Sequence, residues 1–157
     1  MNDIKKPSGD NIGGLIRFNF IPYEDVESID MPIDGKVTIE VELKEGKQWY
    51  CGYGTLGSMS YTETPSENMN GAVFSKLLSA VCPQDGEENN ALFNEMRNRR
   101  FIVDYTDSNG LRKLIGSIEE PLKFNATLNT QTSMPGLNAH AISFYGEGTF
   151  KAYIYDV

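Results

Sequence analysis

The sequence predicts a mainly β fold: an antiparallel β-sandwich or barrel with one flanking α-helix at about residues 87–98. Two observations lead to this prediction. Short apolar segments, several of them alternating with polar residues, recur between clusters of Gly, Pro, Asn and Asp, as is typical of strands and turns. Only one segment combines helical spacing of apolar residues with helix-start signals. Seven or more strands with a single helix favour a sandwich or barrel.

The chain divides into a short arm and one domain. Residues 1–14, MNDIKKPSGDNIGG, are polar and contain Gly, Pro and Ser, so we expect a flexible N-terminal arm that is ordered only by a partner. Residues 15–157 are long enough to bury a core and are expected to form a single β-rich domain. The arm has no signal-peptide core, and no run approaches the ~20 apolar residues of a membrane span. We therefore expect a soluble protein made inside the cell.

Alternation predicts the first strands. In LIRFNFI the face formed by Ile16, Phe18 and Phe20 is apolar, which indicates a half-buried strand. An acidic loop from Pro22 to Gly35 follows. The next segment has the strictest alternation in the chain, with four apolar residues on one predicted face: Val37, Ile39, Val41 and Leu43.

The segment after this strand is predicted to reverse and pair with it. Lys44–Lys47 contains a turn glycine, and Gln48–Cys51 is expected to return as the partner strand. Ser58–Thr64 is rich in β-formers and could make a further strand. Residues 71–82, GAVFSKLLSAVC, suit either an amphipathic helix or a buried strand, and periodicity does not decide between them.

One helix is predicted at Glu87–Asn98. Asp85 is placed at the N-cap, with Glu88 three residues later completing a capping box. Leu92, Phe93 and Met96 form a narrow apolar stripe, which is expected to pack across one side or end of the sheet.

Two hairpins are predicted in the last third of the chain. Asn109-Gly110 separates two apolar segments and favours a tight type I′ turn, which requires positive φ angles. Gly146-Glu147-Gly148 is predicted to turn between a second pair of strands.

The charge of the chain argues against a surface that grips nucleic acid. It has 14 basic and 22 acidic residues, a formal charge of −8, whereas phosphate binding relies on clustered Lys and Arg. Such a balance suits solubility, or a wall along which DNA slides without sticking. Cys51 and Cys82 are the only cysteines and are expected to be two buried thiols.

The motifs that could carry chemistry are better explained by structure. Gly52–Gly57 matches the G-x-G-x-x-G dinucleotide motif, but the following SMSYTET lacks helical periodicity, so turn glycines are expected. Asp104–Gly110 hints at a calcium loop, yet Tyr105 and Gly116 fall where oxygen ligands belong. The Asn109-Gly110 hairpin accounts for the segment without metal.

The remaining candidates are one histidine, two carboxylate pairs and an aromatic cluster. His140 is the only histidine and is predicted to lie on the polar side of a strand, as a surface or structural residue. Glu40 and Glu42 are placed on the solvent face of a strand. The full set of carboxylate and aromatic candidates is Glu40, Glu42, Glu119, Glu120, Trp49, Tyr50 and Tyr53. No catalytic, cofactor-binding or metal-binding residue is predicted.

A resemblance suggests a more specific function. The segment RRFIVDYTDSNGLRKLIGSIEEPLKF, followed by AISFYGEGTFKAYIY, resembles small structural proteins of the neck and tail of tailed bacteriophages and related prophages. The resemblance covers about Glu87 to Tyr155. It implies a β-sandwich or barrel with one flanking helix, assembled into rings around a DNA channel, and it favours a strand for residues 71–82.

We therefore expect a non-enzymatic virion protein of the tail-tube or connector-ring type. Its partners would be copies of itself and neighbouring tail or neck proteins, with DNA at most passing through a channel. Its location would be the virion, after synthesis in the host cytoplasm. The alternative is a β-sandwich module that binds carbohydrate or another ligand, with Trp49, Tyr50 and Tyr53 as an aromatic platform.

Overall fold

A computed structural model describes residues 12–69, 71–130 and 138–157 of the chain. The predicted arm therefore lies outside the described residues up to residue 11. Within the described ranges there are twelve strands, one α-helix and one short 3-10 turn. Their bounds are β1 Leu15–Pro22, the 3-10 turn Tyr23–Asp25, β2 Val26–Ser28, β3 Lys36–Val37, β4 Glu42–Leu43, β5 Tyr50–Gly52, β6 Ser60–Asn68, β7 Gly71–Pro83, α1 Glu87–Met96, β8 Arg100–Asp107, β9 Arg112–Ile115, β10 Leu122–Asn129, β11 Ala139–Gly148 and β12 Tyr153–Tyr155.

Ten of these strands form one sheet that folds over on itself. The main path is β3-β12-β9-β8-β10-β11-β7-β6, and β1 pairs with β8 and with β5. The pairs are antiparallel except β3 with β12. Strand β8 pairs with β9 along Val103–Thr106 but with β10 only at Arg100 and Phe101. The sheet therefore divides into two halves at the start of β8. The mainly β, sandwich-like class with one flanking helix is confirmed.

The first core lies between the two halves of the folded sheet. Phe18 and Phe101 from one half contact Phe144 from the other, with ring centroids 6.0 and 5.6 Å apart. All three rings are at most 1% exposed. Burying a side chain of this size contributes about 1.5–3 kcal/mol, so this aromatic cluster is a main source of stability.

A second core lies on the other face of β1, β8 and β9. Ile21, Ile102 and Leu114 point to this side and are covered by the segment between β1 and β5. The first strand is consequently buried on both faces near its end. The predicted apolar face is wrong at Ile16, which is 56% exposed, because the register shifts between Leu15 and Arg17.

The predicted long strand from Val37 to Leu43 is wrong. Val37 and Val41 are buried in the second core, but Ile39 is 58% exposed. The chain forms only β3 and β4 here, because β3 pairs with β12 and β4 pairs with β2. The predicted turn is present, with Lys47 N donating to Lys44 O at 3.0 Å, yet β5 then pairs with β1.

The ambiguous segment at residues 71–82 is a strand, as the resemblance favoured. Strand β7 runs from Gly71 to Pro83 between β6 and β11. Its inward residues are Lys76, Leu78, Ala80 and Cys82, all buried. The predicted strand at Ser58–Thr64 is confirmed as β6, which begins at Ser60 and continues to Asn68.

The predicted helix is confirmed and begins at Glu87 as predicted, but it ends at Met96 rather than Asn98, and its N-cap is not the predicted Asp85. Gly86 is the N-cap, without a side-chain hydrogen bond, and the Asp85 carboxylate accepts from the Asn90 amide instead. Phe93 and Met96 are buried against the first core, whereas Leu92 is 44% exposed. The helix therefore covers one end of the first core with two side chains.

The Asn109-Gly110 hairpin is confirmed, but its turn type is wrong. Only Gly110 in this turn has a positive φ, 85°, whereas type I′ requires two such residues. Asp107 closes the loop through its backbone N–H, which donates to Leu111 O at 2.9 Å. Its carboxylate accepts from the N–H groups of Asn109 and Leu111.

The turn predicted at Gly146–Gly148 is also wrong, because β11 continues through it. Gly148 lies close to Glu120: a Cβ there would overlap the Glu120 carboxylate and displace it from Thr149. The chain reverses only after Gly148, and β12 begins at Tyr153.

Candidate assembly surface

The outer face of β6, β7, β11 and β10 is uncovered by any described segment. Its central row crosses the four strands in register and consists of Thr62, Leu77, Tyr145 and Lys123. Leu77 is 43% exposed and Tyr145 is 41% exposed. These two side chains, one on β7 and one on β11, form the apolar centre of this surface. We call this four-stranded surface the outer face.

The rows beside the centre consist mainly of small neutral residues. One row contains Ser60, Ser79, Ser143 and Asn125, and the hydroxyls of Ser60 and Ser79 lie 3.0 Å apart. The other rows are Thr64, Ser75 and Glu147, and Val81, Ala141 and Thr127. Only Lys123 and Glu147 are charged among the residues of these rows. In a chain of formal charge −8, the outer face is therefore poor in charge.

The low charge of this face and its exposed Leu77 and Tyr145 suit contact with another protein. Neutral hydroxyls and amides cost less to remove from water than carboxylates, and interface centres are depleted of charge and enriched in Tyr. Sequence reasoning missed Leu77 and Tyr145 as candidates. Every second residue of this segment, Ser75, Leu77, Ser79 and Val81, lies on the outer face. This pattern can be recognised only once residues 71–82 are known to be a strand.

A protruding hairpin borders the outer face. The last pair of β11 with β7 is Gly148 with Phe74, whereas β6 and β7 continue to pair as far as Asn68 and Gly71. Within the described part of the chain, β6 has no partner on its outer edge. Pro65 lies in this edge strand and has no N–H to donate, which disfavours the addition of another strand. The outer face is therefore a better candidate for contact than the β6 edge.

A buried charged cluster closes the sandwich beneath this surface. Lys76 is 5% exposed and stands opposite Glu63 in the β7–β6 ladder. Glu63 Oε2 accepts hydrogen bonds from Tyr61 Oη at 2.9 Å and from Ala152 N at 2.7 Å. Burial lowers the pKa of the Lys76 ammonium, while Glu120 and Glu63 act in the opposite direction.

The two glutamates of this cluster hold the turn between β11 and β12. Glu120 Oε1 accepts from Thr149 N at 2.9 Å and from Thr149 Oγ1 at 2.8 Å. Glu63 holds the same turn through Ala152, as described above. Because donors of the protein occupy both carboxylates, the cluster has the geometry of an anchor rather than of a catalytic acid and base.

The carboxylates of the hypothetical calcium loop are likewise bound by protein donors. Asp104 is 1% exposed, accepts from Asn19 Nδ2 at 2.8 Å and pairs with the Arg112 guanidinium. That guanidinium lies over the Tyr155 ring, 4.4 Å from its centroid. Asp107 accepts backbone N–H groups of its own turn. Among the described residues, no group of three or more Cys, His, Asp and Glu side chains is arranged to hold a metal ion.

His140 is buried, and the prediction that it lies on the polar side of a strand is wrong. It is 3% exposed and stands opposite Cys82 in the β11–β7 ladder. Its Nε2 lies 3.5 Å from Asp85 Oδ1, and its ring centroid is 5.0 Å from that of Phe93. Burial raises the pKa of the Cys82 thiol, so this neighbour of His140 is held in its unreactive form. Cys51 is exposed, which contradicts the prediction of two buried thiols.

The other candidate residues are separated in the structure. Glu40 is exposed in the segment between β3 and β4, and Glu42 accepts from Ser28 Oγ at 2.9 Å. Trp49 packs half-buried against the second core, whereas Tyr50 and Tyr53 are 45% and 65% exposed. The proposed aromatic platform thus has two exposed members rather than three.

Gly52 ends β5, and Gly54 and Gly57 lie between β5 and β6, without a helix after them. Gly52 lies against the Phe18 ring, where a Cβ would overlap it, and Gly57 has a φ of 81° in a turn. Close packing and turn formation account for both positions.

No protein-family model matches the chain, and neither a curated protein nor a solved structure matches it. Among the described residues, the one α-helix is too short to cross a membrane.

Proposed function

We propose that this chain is a non-enzymatic structural subunit that associates with copies of itself into a ring or tube. The observation that carries the proposal is the outer face, where Leu77 and Tyr145 stand uncovered among neutral side chains. A second copy that covers this face removes apolar surface from water and leaves few charges to desolvate.

A ring or tube would need the outer face of one copy to contact a different surface of the next. The outer face and the protruding β6–β7 hairpin lie on the half of the sheet that ends at β6, whereas the other half ends at β3 and carries the second core. Contacts between two different surfaces are heterologous, and such contacts close into a ring when the rotation permits. A stable interface of this kind buries about 1,200–2,000 Å² in total.

The resemblance at Glu87–Tyr155 supports placing this subunit in the virion of a tailed phage, as a tail-tube or connector-ring protein. Its partners would then be itself and neighbouring tail or neck proteins. DNA would pass through the channel without specific binding, which the formal charge of −8 favours.

Negative-stain electron microscopy of the full chain over a concentration series tests this proposal. We expect rings or stacked tubes, and we expect Leu77→Lys to prevent them. Leu111→Lys is the matched control, because Leu111 is 41% exposed but lies at the β8–β9 turn, away from the outer face. Uniform monomers at all concentrations, or equal loss of assembly in both variants, would contradict the proposal.

The exposed tyrosines favour a second candidate function, a β-sandwich module that binds carbohydrate. Tyr53 is 65% exposed, and Tyr50 stacks on Phe20 with ring centroids 5.8 Å apart. Aromatic rings of this kind can pack against sugar rings. Binding on a glycan array that is lost in Tyr53→Ala would favour this function, whereas a blank array would remove it.

A further inference from the structure

An apolar cavity lies beside α1, at the end of the first core. Its volume is about 140 Å³, and Met96 and Ile142 are among the residues that line it. Five phenylalanines line it as well: Phe18, Phe20, Phe93, Phe124 and Phe144. Except for the half-buried Phe20, all of these residues are at most 7% exposed. The floor of the cavity is therefore formed by the first core itself.

The cavity opens to solvent between α1 and the loop after β5. Leu92 on the helix and Tyr53 in the loop belong to its lining, and they are 44% and 65% exposed. These two side chains therefore lie at its mouth. A small molecule can enter between them without separating the strands of the sheet.

The volume of the cavity limits the size of its occupant. A cavity of about 150 Å³ lined by Leu, Ile and Phe side chains stays free of water and binds benzene. The cavity beside α1 has nearly the same volume, so one six-membered ring fills it. Larger ligands would remain mostly outside.

The lining also selects a neutral occupant. None of the described residues that line the cavity is charged, so an ionised group would lose its hydration without gaining a partner. Asn89 on α1 supplies the amide of this lining. Its Nδ2 donates to Cys82 Sγ at 3.9 Å, a long contact to a weak acceptor, which leaves the amide available to one polar group of a ligand.

The rings of the wall favour an aromatic occupant over an aliphatic one. Phe18, Phe93, Phe124 and Phe144 already contact neighbouring rings in edge-to-face or tilted arrangements. A further ring among them extends the same type of contact, and the thioether of Met96 can contact its edge.

We propose that the cavity binds a small neutral aromatic molecule that carries one hydroxyl or N–H group, of the chemical class of phenol. The ring lies among the phenylalanines, and the polar group meets Asn89. Such a site goes beyond self-association, because the cavity lies on the inner side of β7, where Cys82 points, whereas Leu77 of the outer face points to the other side.

NMR spectra of the full chain with labelled methionine methyl groups test this site. Phenol should shift the Met96 resonance in a saturable way, with half-saturation on the order of 1 mM. Toluene has the same shape without the hydroxyl, so it should bind about two- to tenfold more weakly. Benzoate carries a charge and should not shift Met96. Met69 is fully exposed and outside the lining, so its resonance is the internal control.

Two substitutions separate the amide contact from the cavity. Asn89→Leu should weaken phenol binding by the same two- to tenfold and leave toluene binding unchanged. Asn94→Leu is the matched control, because Asn94 is exposed on the same helix and does not line the cavity. Cys82→Leu places a larger side chain in the cavity and should abolish the binding of both ligands. Urea denaturation checks that each variant is folded.

The outcomes decide each part of the site. Equal shifts of Met96 and Met69, or no saturation with phenol, would overturn the site as a whole. Equal phenol affinity in the parent and Asn89→Leu would overturn the contact with the amide. Binding retained in a folded Cys82→Leu chain would place the ligand elsewhere and overturn the cavity assignment. If Cys82→Leu does not fold, the comparison of Asn89→Leu with Asn94→Leu decides.

Discussion

Leu77 on β7 and Tyr145 on β11 stand directly opposite each other in the sheet, and both point away from the core. Their inward neighbours, Leu78 and Phe144, form the equivalent pair on the buried side and are at most 1% exposed. Two adjacent rows of the same ladder thus have opposite surroundings. One row stabilises the subunit, and the other is available to a partner.

This difference predicts separate effects of two neighbouring substitutions. Tyr145→Ser should change the free energy of unfolding by no more than about 1 kcal/mol, because the site is exposed, but it should weaken self-association. Phe144→Ala should cost about 3–5 kcal/mol, because it leaves a cavity in the aromatic core. Urea denaturation gives the stabilities, and sedimentation velocity gives the association. A Tyr145→Ser chain that unfolds as easily as Phe144→Ala would contradict the assignment of the two faces.

Gly148 should not tolerate a side chain. A Cβ at this position would overlap the Glu120 carboxylate, which holds Thr149, so Gly148→Ala should destabilise the protein by about 1–3 kcal/mol. Gly13→Ala is the control, since its Cβ would meet no atom within 4 Å and its φ lies outside the left-handed region. Thermal unfolding should show a lower midpoint for Gly148→Ala alone, and equal midpoints would count against the Glu120 anchor.

The ion pair of buried Asp104 with half-buried Arg112 should be costly to break at Asp104. Asp104→Ala leaves the guanidinium without its carboxylate in a site where Asp104 is 1% exposed, so we expect a loss of about 3–5 kcal/mol. Asp104→Asn keeps the shape and the acceptor oxygen for Asn19, and it should lose less. Guanidinium denaturation of the two variants distinguishes these outcomes. A loss for Asp104→Asn as large as that for Asp104→Ala would show that charge rather than hydrogen bonding dominates.

Stability should fall at alkaline pH because of Tyr105. Burial raises the pKa of this phenol above its usual value of 10.0, with Glu63 and Asp107 acting in the same direction. The unfolded chain therefore releases the proton first, and stability that is present below pH 10 is lost as the pH rises above it. Tyr105→Phe removes this titration and should flatten the loss between pH 8 and pH 11.

Tyr61→Phe provides a comparison for this alkaline effect. Burial also raises the pKa of Tyr61, and the hydrogen bond from Tyr61 to Glu63 is the second cause, acting in the same direction. This variant should therefore flatten the alkaline loss too, but it should also cost about 1 kcal/mol at pH 8, because Glu63 loses a donor. Urea denaturation at the two pH values measures both effects. Parallel curves for the parent and Tyr105→Phe would exclude Tyr105 as the source.

Local patterns predicted the elements better than their ends. The Asn109-Gly110 hairpin and the helix at Glu87–Met96 are where the sequence indicates, because turn glycines and helical periodicity act over a few residues. The N-cap at Asp85 and the type I′ turn are wrong, since Asn90 and Asp107 supply competing hydrogen bonds. The turn predicted at Gly146–Gly148 is wrong because glycine is also required where Glu120 approaches the backbone.

The sequence alone determines the fold class, the site of the single helix and the charge of the chain. The tertiary structure alone decides which strands pair, and thereby which side chains remain open. Leu77 faces outward only because β7 lies between β6 and β11 in the sheet. Several of the residues that pair between β7 and β11 are more than 60 positions apart in the sequence. Alternation predicts that a strand has two faces, but the buried face depends on contacts distant in sequence. The segment that covers β1, β8 and β9 creates a second core, whereas no described segment covers the outer face.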